Sequence, residues 1–224
     1  MLSCTFSLKS QDNSASSDAE RDMFFWGYYG FSLDISKKFN LNYDNIVRLN
    51  ENMSRFDYTA FNLELEYKYA KWLKVYGAYR FNVQNHWRRG WESSHQIRGT
   101  VSLRHKFERF KIYNRSRIQT GVEDVLGNIE VSNTDLFYRN RTRLKYYIDE
   151  RWDVFAYFEG YFRLGAPEPD DNPIYRKRYG AGLNFQVNPR EQYRLFFVTD
   201  QQVRGGRQSH RYFIGFGYTR NIEL

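Results

Sequence analysis

Arg115 and Arg117 stand two residues apart, and Arg139, Arg141 and Arg143 repeat that spacing further along the chain. A guanidinium keeps its charge at any working pH, and its planar fork of N–H donors matches a carboxylate or a phosphate. In a strand, residues two apart share a face. Five arginines on two neighbouring strands would therefore form a ladder for anions. Arg80, Arg176 and Arg178 fall on polar faces of the same kind, and Glu64, Glu66, Asp153 and Glu159 are the acids placed to neutralise them. Two outcomes follow. In a water-filled lumen such a ladder biases passage toward anions. If the acids pair with it, the arginines only fill an interior.

Other reactive residues are weaker candidates. The histidines His86, His95, His105 and His210 show no metal-ligand spacing. Ser93, Ser94 and His95 read as loop residues, and Ser209 and His210 are sequence neighbours, a poor geometry for a nucleophile and its base. The expectation is no enzyme, no cofactor and no metal. The stretch His86-Trp87-Arg88-Arg89-Gly90-Trp91 could be an interaction hot spot, or an outer aromatic girdle beside solvated charge. Glu168, Asp170 and Asp171 could hold a cation between head groups, although Pro167, Pro169 and Pro173 mark a polar loop.

The elements that must position these residues are strands. Phe61, Leu63, Leu65, Tyr67 and Tyr69 alternate with Asn62, Glu64, Glu66 and Lys68, and Leu73 to Val83 alternates again after Ala70-Lys71. This is a long hairpin with one apolar and one charged face. The unit recurs from Phe24 to the end, giving eleven visible strands. Short connections at 37–39, 70–71, 108–109, 148–151 and 188–192 alternate with long ones at 51–57, 85–96, 121–135, 165–174 and 203–210. That is an up-and-down antiparallel meander. Single-chain bacterial barrels have even strand numbers, so the reading is about twelve strands, with ten as the other choice.

Composition bounds the class. The chain has 224 residues, 19% aromatic, with formal net charge +8 and mean hydropathy −0.77. Basic residues interleave with apolar ones along the strands instead of clustering, which speaks against nucleic acid. The single cysteine, Cys4, excludes an internal disulfide framework. Residues 1–22 read as the remnant of a signal peptide followed by a polar segment; a short strand over Leu2 to Leu8 and a lipoprotein Cys4 are the alternatives. Residues 23–224 form the barrel.

Alternation alone does not say which face is outside. A lipocalin-like soluble barrel would turn the apolar face inward. Strand length favours lipid outside, because a tilted membrane strand needs roughly 9–11 residues. So do the aromatics at the short turns, Tyr69, Trp72, Phe107, Phe110, Tyr147 and Trp152, which suit an interfacial girdle.

The order of motifs resembles a family of small outer-membrane barrels of Gram-negative bacteria, domain-of-unknown-function family 2490. The motifs are Trp26, Arg48, Tyr67-Lys68 to Tyr79-Arg80, Arg115-Ser116-Arg117, Arg139-Asn140-Arg141-Thr142-Arg143-Leu144, Tyr157-Phe158-Glu159, Arg178-Tyr179-Gly180-Ala181-Gly182-Leu183 and Ile214-Gly215-Phe216-Gly217-Tyr218. The resemblance implies an all-β transmembrane barrel integral to the outer membrane, and no activity. The expected role is a small anion-biased pore, with a non-conducting accessory barrel as the rival and a lipid-modifying enzyme as a distant third. Expected partners are outer-membrane lipid and lipopolysaccharide, small anionic solutes and other envelope proteins.

Overall fold

A computed structural model describes residues 21–86, 90–124, 136–164, 174–204 and 207–223. They form eleven strands: β1 (Arg21–Asp34), β2 (Phe39–Asn50), β3 (Arg55–Lys68), β4 (Leu73–His86), β5 (Gly90–Phe107), β6 (Phe110–Asp124), β7 (Leu136–Tyr147), β8 (Trp152–Leu164), β9 (Ile174–Asn188), β10 (Glu191–Arg204) and β11 (Arg207–Glu223). Consecutive strands pair antiparallel. The sheet closes through β1 and β11, which run parallel from Arg21↔His210 to Asp34↔Glu223.

That closure corrects the expected count of twelve or ten. In a meander with an odd number of strands the first and last point the same way, so they can meet only as a parallel pair. The residues expected to supply a twelfth strand lie outside the described ones. Arg21 and Asp22, expected in the leading polar segment, begin β1. Several expected long loops are also shorter. β4 runs to His86 and β5 starts at Gly90, while β10 and β11 flank residues 205–206.

The apolar face of the sheet is outside and the polar face inside. Leu63, Leu65, Leu195 and Phe197 are exposed outside, whereas Asn62, Glu64 and Glu66 between them are buried inside. Side chains close the short turns. Asp149 accepts hydrogen bonds from the backbone N–H of Arg151 and of Trp152, both at 2.7 Å, and Ser36 accepts from Lys38 and Phe39. Exposed Tyr69, Trp72, Phe107, Phe110 and Trp152 ring this end. Tyr147 is the exception. It pairs with lumen-facing Asp153, so it points inward, and Tyr146 packs against Phe110 in its place, ring centroids 4.9 Å apart. With two tyrosines in succession, strand register alone decides which faces out.

Candidate functional site

The interior is divided along its length. Toward the short-turn end lies a cavity of about 590 Å³, reaching Ser32, Asn40 and Asn221 at the strand ends. Among the described residues ten cationic and three acidic side chains line it; the acids are Asp44, Glu64 and Glu66. Toward the other end the interior is filled. Phe24, Val198 and Phe213 form a buried apolar cluster with Trp26, Tyr157 and Phe196 packed against it. Beside them lie two buried carboxylates, Glu159 and Asp200, 1% and 2% exposed.

Those two acids gather the upper arginines. Register sets Glu159 opposite both Arg141 and Arg178, on β7 and β9. Arg139 Nε and Nη2 reach its two oxygens, Nη2 at 2.8 Å. Arg141 does the same at 2.8 and 3.2 Å. Arg178 Nη1 stands at 3.6 Å, and the Tyr161 hydroxyl donates at 3.1 Å. Asp200 takes Arg176 through Nε and Nη2 and Arg178 through Nη2. The Tyr161 ring lies under Arg139, Arg176 and Arg178, at 4.7, 5.2 and 5.4 Å. A buried carboxylate held by several forks and a stacked ring offsets part of a desolvation cost of several kcal/mol per ion.

The remaining acids are spread thinly. Glu66 takes Lys74 at 2.6 Å and Asp153 takes Lys145 at 2.8 Å. Glu64 meets Arg115 and Arg117 only at 3.5 and 3.8 Å. Asp44 accepts from the Asn62 amide. Among the described residues no carboxylate pairs with Arg80, Arg98 or Arg143, and Nε of each lacks a partner.

The opposite wall is aromatic on glycine. Tyr157 lies over Gly180, Phe155 over Gly182, Phe196 over Gly215 and Tyr28 over Gly217. A side chain at any of these glycines would meet the ring, so glycine is what lets the rings lie flat against the wall and keeps the cavity open.

Of the arginines expected in the ladder, Arg80, Arg115, Arg117, Arg139, Arg141, Arg143 and Arg178 line the cavity, and Arg176 lies above it on Asp200. The expected counter-charges Glu64, Glu66, Asp153 and Glu159 are all buried inside. Arg98, Arg194 and Asp200 belong to the site too. Alternation already put them on polar faces, but nothing in the sequence ranked them.

The serine–histidine candidates separate. Ser93, Ser94 and His95 lie within β5, not in a loop. Ser94 accepts a hydrogen bond from Asn82 inside the barrel, while His95 takes the Tyr79 hydroxyl at 2.6 Å on the other face. Trp91 packs on Phe56. Trp87, Arg88, Arg89, Glu168, Asp170 and Asp171 lie outside the described residues.

The fold is similar to that of LpxR from Salmonella typhimurium, with TM-score 0.50 and 12% identity over 82% of this chain and 84% of that one. At that identity the likeness is one of fold, a closed β-barrel. No curated protein matches the chain. A family model described as "Protein of unknown function (DUF2490)" matches residues 23–211, and the chain belongs to that family.

Proposed function

We propose that the protein is an integral outer-membrane β-barrel that admits small anions into its lumen from the short-turn side, as a narrow anion-biased channel. The observation that carries this is the imbalance of charge among the described residues, ten lining cations against three lining acids and the two further acids, Glu159 and Asp200, that hold Arg139, Arg141 and Arg178. An excess of fixed positive charge in a confined space draws anions in and repels cations. The membrane assignment rests on the outer face. A continuous apolar exterior on a closed barrel with an aromatic ring at one end suits lipid and is costly in water. Passage through the whole barrel requires the layer around Glu159, Asp200 and Phe213 to part, so openings are brief and small.

The same layer favours a second reading, a non-conducting barrel that serves a larger envelope complex. Planar-bilayer recording separates the two. Small discrete openings support the channel. A silent barrel that co-purifies from native membranes with a stoichiometric partner supports the accessory role.

A further inference from the structure

Five lumen arginines can be compared at the same edge, the one formed by Nε and Nη2. In Arg139, Arg141 and Arg176 this edge is filled by a carboxylate of the protein, Glu159 for the first two and Asp200 for the third. In Arg98 and Arg143 the same two nitrogens are buried and have no partner. Arg98 is 2% exposed and lines the cavity, as does Arg143. An unmade hydrogen bond on a buried charged donor is expensive, and two on one fork more so. Protein oxyanions show what fits that edge, and both arginines that lack one line a space large enough for a ligand.

The two positions are distinct. Arg98 is level with Gln119 on β6 and Arg143 with Tyr113. These rows are six residues apart, about 20 Å at the usual strand rise of ~3.3 Å. Arg98 therefore lies deep, with Arg80 diagonal to it on β4, and Arg143 lies nearer the short-turn mouth. Arg143 is also held in place. Its guanidinium carbon stands 3.9 Å from the Phe155 ring centroid, that ring lies on Gly182, and Arg194 reaches the same ring at 5.6 Å. The ring contact steadies the guanidinium and leaves its Nε and Nη2 without a partner for bidentate capture.

We infer that Arg98 and Arg143 are two separate docking subsites for the carboxylate or phosphate group of a water-borne anion, one deep in the lumen and one at its mouth. The inference rests on the anion-accepting reading above and adds which residues hold the anion, how many groups, and by what geometry.

Calorimetric titration of inorganic phosphate into the detergent-solubilised full chain at low ionic strength tests it. The expected result is saturable uptake of two phosphates per barrel, reduced to one by Arg98→Gln or by Arg143→Gln and abolished by both together. Arg98→Lys, which keeps the charge but not the fork, should weaken its subsite about tenfold. Heat-modifiable gel migration checks that each variant is folded, and Arg104→Gln, outside the cavity lining, should leave two. Phosphate uptake that neither Gln variant changes would overturn the subsites while leaving an anion-accepting lumen standing. No saturable uptake would overturn the subsites; an anion-side reversal potential would then still uphold the channel. Competition by phosphatidylglycerol doped into the micelle would assign the edges to a lipid head group and overturn the water-borne ligand.

Discussion

The Arg143 guanidinium carbon stands 3.9 Å from the centroid of the Phe155 ring, and its Nε and Nη2 are buried without a partner. The pair shows how this barrel treats its cations. Aromatic rings support several of them, with or without an acid: Arg141 stands over Tyr157 at 4.8 Å and Arg115 over Tyr76 at 4.7 Å, beside Glu159 and Glu64 respectively, while Arg143 has the ring alone. A ring steadies a guanidinium without cancelling its charge.

Replacing Phe155 by Leu should keep Arg143 charged but free its plane. A cation–π contact is worth roughly 1 kcal/mol or somewhat more, so phosphate affinity at the mouth should fall about fivefold or more. Calorimetry on the Arg98→Gln background, where only the mouth subsite remains, reads this directly.

Paired and unpaired arginines should respond oppositely to neutralisation. Glu159→Gln leaves Arg139 and Arg141 without their carboxylate, and a broken buried pair costs about 3–5 kcal/mol. Arg98→Gln removes a buried cation that had no partner, and should be neutral or stabilising. Urea unfolding of the two variants in lipid vesicles compares them; equal losses would show that Arg98 is held by the fold in some way its hydrogen bonds do not reveal.

The glycine wall makes a steric prediction. A Cβ at Gly180 would land within the Tyr157 ring, while one at Gly77 would meet nothing within 4 Å. Gly180→Ala should cost about 1–3 kcal/mol, in the range for overpacking, and push the ring into the cavity. Gly77→Ala should change little. Unfolding midpoints of both test this.

At the β9–β10 turn, the Asn188 amide and the Tyr218 hydroxyl donate to the half-buried Glu191 carboxylate, and with Arg220 they hold it below the usual glutamate range. A lowered folded-state value means that this stabilisation is complete above the ordinary glutamate value of 4.5 and is lost as pH falls through the folded one. Protection factors of the turn amides, corrected for the intrinsic pH dependence of exchange, should therefore fall on acidification below about that pH, and Glu191→Gln should remove that step.

Much of this was legible in the sequence, and the reasons for the rest are specific. Alternation placed Arg115, Arg117, Arg139, Arg141 and Arg143 on one face because the strand period is two. It could not tell Arg141 from Arg143, since only register decides that Glu159 stands opposite Arg141 and not two residues further on. Register likewise turned Tyr147 inward. The even-number rule misled the strand count, because nothing local reveals that β1 and β11 pair parallel. Gly215 and Gly217 were visible as small residues, but Phe196 and Tyr28, the rings that need them, sit on other strands.

The reversal potential of single openings under a potassium chloride gradient tests the central claim most directly. A lumen lined by ten cations and three acids predicts a reversal displaced toward the chloride equilibrium potential, with the displacement shrinking as salt screens the wall. A reversal on the potassium side, or a barrel that never opens, would contradict it.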